Sequence, residues 1–124
     1  MLIKSKDRMR KMGEVFTPAP LVKEMLDNIS KQVWKDKTKT FIDPACGNGN
    51  FLVEVVKRKI KAGSNKWQAL STTYGVDIME DNVLECRERL LQVADVKQKR
   101  FRTLIEQRVV CGDTLKDNLE DLFK

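Results

Sequence analysis

Residues 41–51 read Phe41-Ile42-Asp43-Pro44-Ala45-Cys46-Gly47-Asn48-Gly49-Asn50-Phe51, and this stretch decides the fold. A short apolar strand ends at an Asp-Pro pair, and two glycines then open a helix. Gly47 and Gly49 can adopt positive φ and carry no Cβ, so a bound molecule could approach the backbone amides at the helix start. The Gly-x-Gly spacing lacks the third glycine of the dinucleotide-binding fingerprint. The stretch predicts a ligand-binding turn between a strand and a helix.

Acidic residues end three of the predicted strands. Asp43 places a carboxylate at the carboxyl end of the first, which suits a ligand with a positive centre or a free ammonium group, such as S-adenosylmethionine. Residues 73–78 form a second strand-like run that contains Asp77, and residues 109–113 form a third that ends in Asp113. A tight turn without a ligand is the alternative for any one of them. Three acids at one edge of an open parallel sheet favour a binding site.

The composition is that of a single globular domain. A chain of 124 residues buries about two-thirds of its unfolded surface. We expect residues 1–12 to form a basic arm and residues 13–124 to form one ligand-binding domain. No apolar run is long enough to span a bilayer, and no apolar signal core follows the basic N-terminus. These features predict a cytoplasmic protein that does not insert into a membrane.

The cysteine and histidine content argues against a metal site. Cys46, Cys86 and Cys111 are an odd number of cysteines at unrelated spacings, which indicates reduced thiols. The chain contains no histidine, which removes most metal centres and every catalytic triad with an imidazole base. We therefore expect no bound metal.

Basic residues occur in bursts within a net charge of +6. Nucleic acid is a natural partner for such a surface, since each neutralised phosphate releases counterions. Solvated helix faces are the alternative explanation. The aromatic residues among the charges could stack on bases, although an aromatic beside a charge run is more often a core anchor. The bursts are residues 4–11, 31–39, 57–66 and 97–102, and the aromatic residues are Trp34, Trp67 and Phe101.

Helical patterns separate the three strands. Thr17 is expected to cap a first helix, with Pro18 at its first position and an apolar face that extends to Val33. Strand, helix, strand, helix, strand with right-handed crossovers gives an α/β fold whose parallel sheet has the order 3-2-1, flanked by helices. The other predicted elements are a strand at residues 40–43, a helix from Asn50 to Gly63, a short helix within residues 64–71, helical segments after Asp77 and at residues 97–107, and a helical tail.

The ordered motifs resemble one known family. In the S-adenosylmethionine-dependent DNA adenine-N6 methyltransferases, a Phe-Thr-Pro segment precedes Asp-Pro-Ala-Cys-Gly-x-Gly-x-Phe. Here Val15-Phe16-Thr17-Pro18, residues 43–51, Asp77 followed by Ile78, and Gly112-Asp113 occur in the family's order. The resemblance implies a truncated, Rossmann-like methyltransferase fold that binds S-adenosylmethionine and acts on DNA, as in restriction-modification systems.

The resemblance also implies a role for each motif residue. Asp77 would accept both ribose hydroxyls, and Ile78 would pack on the adenine. Asp113, with Thr114 nearby, would bind the exocyclic amine of the adenine. A cap or turn role is the alternative for each acid. Phe16, Thr17 and Pro18 would surround the methionine end of the cofactor, and Asp43, Ala45, Gly47 and Gly49 would hold its amino acid moiety.

One family motif is missing from these residues. Family members follow this region with an Asn-Pro-Pro-Tyr-like motif that binds the flipped target base. Pro18, Pro20 and Pro44 are the only prolines here, so we assign no catalytic residue. Three hypotheses follow: part of a DNA adenine methyltransferase that needs a partner or a further segment, a stand-alone module that binds or sequesters S-adenosylmethionine, and a small lyase with Glu14 or Asp43 as its base.

The order 3-2-1 also predicts an exposed edge. The first strand normally pairs with a fourth, so here its outer side would present unpaired backbone groups. We expect this edge to be covered by residues 115–123, by a second copy of the chain or by a partner chain.

Overall fold

Three parallel strands form the sheet in the computed structural model, which describes residues 17–123. They are β1 (Phe41–Asp43), β2 (Thr73–Asp77) and β3 (Val109–Cys111), in the order β1-β2-β3. Ile42 pairs with Tyr74, and Val76 pairs with Val110. The predicted order 3-2-1 in an α/β fold is confirmed. Because the strands are parallel, the loops that follow them meet at one edge of the sheet.

Helices connect and flank the strands, and most begin and end within two residues of the predicted positions. Gly63 follows the helix that starts at Asn50 and has a φ of 117°, which is the left-handed geometry expected after a helix end. The helices are α1 (Ala19–Asp27), α2 (Lys31–Lys35), α3 (Asn50–Lys61), α4 (Lys66–Ser71), α5 (Glu80–Ala94), α6 (Lys99–Arg108) and α7 (Leu119–Leu122).

The first helix differs from its prediction in two ways. It starts at Ala19 with Pro18 at the N-cap, so Thr17 is not the cap and Pro18 is not the first helical residue. It also ends at Asp27, and α2 follows as a separate helix. Proline has a fixed φ that suits the extended cap geometry, and here Pro20 takes the early helical position instead. Apolar periodicity continued through the break because both helices pack on the same helix, α3.

The core lies between the sheet and the helices. Gly75 in β2 approaches α3 so closely that a Cβ there would lie 2.6 Å from Leu52 Cδ1. One apolar cluster joins α3, α4, α5, α6 and β3, and a second joins α1 and α2 to Val55 of α3. No helix within residues 17–123 has the length and hydrophobicity needed to cross a membrane.

The opposite face of the sheet and the β1 edge are less covered. Ile42 in β1 is 48% exposed. The ring of Phe123 packs edge-to-face on Tyr74 of β2, with 5.0 Å between centroids. Leu122 lies beside Gly112, just after β3. The C-terminal residues therefore pack against the β2 and β3 side of this face.

Lys59 is a buried cation at the amino ends of β1 and β2. The residue as a whole is only 4% exposed. Nζ donates to Thr72 Oγ1 at 2.6 Å, to Thr72 O at 2.9 Å and to Lys39 O at 3.3 Å. Burial lowers the pKa of Lys59 from 10.5 to about 8. The ammonium thus ties the starts of two strands together at a desolvation cost.

The desolvation cost of the Lys59 ammonium predicts how the stability of the protein depends on pH. The folded pKa lies below the unfolded one, so the unfolded state binds more protons between pH 8 and 10.5. The contribution of Lys59 to stability should therefore rise by about 1–3 kcal/mol as the pH increases through this window. Urea unfolding of the wild type and Lys59→Met at both ends of the window measures it. If the difference in the free energy of unfolding between the two proteins were the same at both pH values, the pKa of Lys59 would not be lowered.

Candidate functional site

The glycine loop is held against the end of β2. Cys46 N donates to Val76 O at 2.8 Å, and Gly47 N donates to Asp77 Oδ1 at 3.1 Å. Gly47 and Gly49 have φ values of 54° and 97°. Both glycines thus use the positive φ that the sequence allows them, and the loop brings its backbone to the carboxyl edge of the sheet.

Asp77 joins this loop to the start of α5. Its Oδ1 accepts from Gly47 N, and its Oδ2 accepts from Met79 N at 3.1 Å and from Asn82 Nδ2 at 3.0 Å. A carboxylate has about four acceptor positions. Oδ1 therefore retains capacity for one further donor, such as a hydroxyl.

Asp43 is a half-buried acid on the neighbouring strand. Its Oδ1 accepts from Ala45 N at 3.1 Å, which closes the turn after β1. Burial raises the pKa of Asp43 above 3.8, the bond from Ala45 opposes this shift, and the charge of Asp77 adds to it. A cationic group placed beside Asp43 would offset the cost of its ionised form.

A small cavity of about 40 Å³ lies beside these groups. The amide oxygen Asn48 Oδ1 is buried and has no hydrogen-bond partner among residues 17–123. An unpaired buried acceptor and a carboxylate suit a donor-rich cation such as an ammonium group. The residues present thus fit the ammonium group of S-adenosylmethionine. The cavity is lined by Thr17, Asp43, Ala45, Cys46, Gly47, Asn48, Asn50 and Phe51.

Four of the residues predicted for the site line the cavity: Thr17, Asp43, Ala45 and Gly47. Asp77 is hydrogen-bonded to Gly47, and Gly49 is the N-cap of α3, but neither lines the cavity. Ile78 and Asp113 lie at the ends of β2 and β3 and do not line the cavity. Ile78 is 42% exposed, so its side chain is accessible to a flat apolar ligand. Pro18 caps α1, Thr17 lines the cavity, and Phe16 lies outside the described residues.

The loop after β3 reaches the loop after β1. Thr114 Oγ1 donates to Pro44 O at 3.2 Å, and Asp113 Oδ1 accepts from Leu115 N at 3.0 Å. The three strand-end acids thus occupy connected loops. The roles assigned to them by resemblance stay predictions.

Sequence reasoning missed four polar residues at the site. Arg89 Nη1 donates to Asn48 O at 3.0 Å and to Asn50 Oδ1 at 2.8 Å. Asn50 Nδ2 in turn donates to Thr17 O at 2.9 Å. Asn82 was detectable in principle, since it follows Asp77 by five residues at a helix start. Arg89 lies 41 residues from Asn48, and no local pattern signals that contact.

The two buried thiols and two of the three aromatic residues considered for base stacking have structural roles. A hydrogen bond to Cys86, followed by burial, raises the pKa of Cys46, so its thiol stays neutral. Trp34 is buried and stacks on Phe41, and Phe101 is buried, so neither is available to stack on bases. Within the part of the chain that the structure describes, no three candidate ligand side chains converge to hold a metal ion.

Known proteins resemble this chain over most of its length. Residues 2–122 match the family described as N-6 DNA Methylase. The Type II methyltransferase M.VspI of Vibrio sp. (strain 343) is 33% identical over 91 residues, which cover 73% of this chain and 20% of that protein. The mRNA cap guanine-N(7) methyltransferase 1 of Arabidopsis thaliana is 27% identical over 95 residues, which cover 75% of this chain and 22% of that protein. No solved structure matches significantly. The aligned region thus spans about a fifth of each curated relative.

Proposed function

The chain belongs to the N-6 DNA methylase family, and we propose that it is the S-adenosylmethionine-binding part of a DNA adenine-N6 methyltransferase. One observation carries the proposal. Asp43 and Asn48 line one cavity beside the glycine loop, and the amide oxygen of Asn48 is buried without a hydrogen-bond partner among residues 17–123. A carboxylate beside an acceptor that lacks a donor favours a ligand with an ammonium group.

Each residue at the edge then has a distinct task. Asp43 and Asn48 accept from the ammonium group, and the glycine backbone allows the ligand to approach. Asp77 accepts from the ribose with its remaining capacity, Ile78 packs on the adenine, and Asp113 accepts from the adenine amine. When bound, S-adenosylmethionine supplies an activated methyl group. These side chains would bind the cofactor and fix its orientation.

Methyl transfer requires components beyond these residues. The sequence has no Asn-Pro-Pro-Tyr motif to hold a flipped adenine. We propose that a partner chain or a further segment supplies it and that the basic surface binds DNA without sequence preference. The exposed Ile42 in β1 marks the side where such a partner, or a second copy, would dock. Light scattering over a range of concentrations tests self-association, and a monomer throughout would exclude the second copy.

Mass spectrometry after incubation with methyl-labelled S-adenosylmethionine tests the function. Purified chain is compared with and without adenine-containing DNA, and calorimetry with S-adenosylhomocysteine measures binding. Binding without turnover is the expected result for the chain alone, and labelled DNA would show that it needs no partner. Cleaved cofactor without labelled DNA would indicate a lyase. No binding by either method would contradict the proposal.

Asp43 should govern both affinity and its pH dependence. Asp43→Asn keeps an acceptor for Ala45 N but removes the charge, so S-adenosylhomocysteine should bind about 10- to 100-fold more weakly. In the wild type, affinity should fall on acidification as Asp43 takes up a proton, at a pH above 3.8 because its pKa is raised.

The same substitution should not lower stability. A carboxyl group with a raised folded pKa contributes most below its unfolded pKa, and that contribution is lost as the pH rises through the folded value. At neutral pH, Asp43→Asn should therefore unfold at the same or a higher urea concentration than the wild type. Calorimetry and urea unfolding of both proteins measure the two effects. A variant that is less stable and binds normally would contradict this role of Asp43.

A further inference from the structure

Three separate segments meet through one arginine. Arg89 projects from α5 and donates to Asn48 O and Asn50 Oδ1 in the glycine loop and α3. Asn50 in turn contacts the segment before α1, because its Nδ2 donates to Thr17 O. We name this chain of bonds the Arg89–Asn50–Thr17 relay, and we propose that Arg89 is a positioning residue for the methionine end of the cofactor. The inference rests on the proposed function.

The relay determines which way the Asn50 amide faces. Arginine only donates, so the atom of Asn50 that meets Arg89 must be the oxygen. The amide nitrogen then points away from Arg89 and can donate to Thr17 O, which is itself an acceptor. Both partners require this orientation, because Thr17 O accepts only from the amide nitrogen. Without Arg89, the Asn50 side chain would lose one of these two anchors, so Arg89 supports a bond that it does not make.

This bond places Thr17 at the cavity. Thr17 and Asn50 both line the cavity beside Asp43. Arg89 also holds the carbonyl of Asn48, the residue whose side-chain oxygen is unpaired there. Loss of Arg89 should release the Thr17 segment and let the Asn48 backbone move. Both changes affect the amino acid end of the ligand and leave the Asp77 side of the site intact.

Arg87 provides a matched control on the same helix. Its Nε donates to Val109 O at 2.8 Å and its Nη2 to Glu106 O at 3.3 Å, at the start of β3 and the end of α6. Both arginines are half-buried and both bind main-chain carbonyls. Arg87→Met therefore removes the same kind of contact without touching the relay.

Two ligands separate positioning from general stabilisation. S-adenosylhomocysteine carries the amino acid end, and 5′-methylthioadenosine lacks it. Arg89→Met should weaken S-adenosylhomocysteine about tenfold and methylthioadenosine less than about twofold, and Arg89→Lys should restore part of the loss. Asn50→Ala should add little to Arg89→Met, because both remove one connection. Arg87→Met should lower the melting temperature and leave both affinities within about twofold.

Hydrogen exchange decides the relay independently of ligand binding. The peptide that contains Thr17 should exchange faster in Arg89→Met than in the wild type or Arg87→Met. Equal losses for both ligands, or unchanged affinity with unchanged exchange, would overturn the positioning role. If the wild type bound neither ligand, the proposed function would fail, and exchange alone would decide the relay. Unchanged exchange in Arg89→Met would then overturn it.

Discussion

Asp77→Ala should weaken the binding of S-adenosylhomocysteine and of methylthioadenosine by about 10- to 150-fold. Both ligands carry the ribose, and the one further charge-assisted hydrogen bond that Asp77 Oδ1 can accept is worth about 1.5–3 kcal/mol. The substitution also frees Gly47 N, which donates to Asp77 Oδ1 at 3.1 Å, and so loosens the glycine loop. Calorimetry with both ligands measures the loss. A large loss for methylthioadenosine, which lacks the amino acid end, distinguishes Asp77 from Asp43 and Arg89.

Asp36 is the control for this experiment. Its exposed carboxylate closes a surface turn through bonds from Thr38 N and Thr38 Oγ1, at 2.9 and 2.6 Å. Asp36→Ala removes one acid at the end of a helix, just as Asp77→Ala removes one at the end of a strand. Asp36→Ala should leave the affinities for both ligands unchanged. If Asp77→Ala bound both ligands within about threefold of the wild type, the ribose assignment would be wrong.

Gly49→Ala should cause the largest loss of stability. Gly49 has a φ of 97°, and an added Cβ would lie 2.8 Å from Cys86 Sγ and 3.4 Å from Cys86 Cα. Backbone strain costs about 1–3 kcal/mol, and overpacking a buried site adds about 1–3 kcal/mol. The free energy of unfolding should therefore fall by about 2–6 kcal/mol. Urea denaturation measures this change.

A substitution at Gly63 separates the cost of backbone strain from the cost of crowding against Cys86. It has a φ of 117°, and an added Cβ would meet no atom within 4 Å. Gly63→Ala should therefore show only the backbone cost of about 1–3 kcal/mol. In the double variant Gly49→Ala with Cys86→Ala, removal of the sulfur should make the total loss smaller than the sum of the single losses. Equal losses for Gly49→Ala and Gly63→Ala would mean that Cys86 does not crowd the loop.

The first prolines illustrate where local reasoning reached its limit. A threonine before a proline predicts an N-cap at Thr17, yet the helix begins two residues later, at Ala19. The carbonyl oxygen of Thr17 instead accepts a hydrogen bond from Asn50 Nδ2, 33 residues away. A tertiary contact thus determined the role of a residue that the local pattern assigned to the helix start.

The sequence by itself determined the order of elements, the parallel sheet and the acids at its carboxyl edge. These depend on apolar periodicity, on the conformational freedom of Gly47 and Gly49, and on the handedness of crossovers, which are all local or general properties. Only the tertiary structure decided that Asp77 holds Gly47 and that Arg89 holds Asn48 and Asn50. These bonds join residues 30 to 41 positions apart, and they exist because α5 packs on α3 beside the sheet. Packing sets which donors and acceptors meet across such distances, and no short-range pattern encodes it.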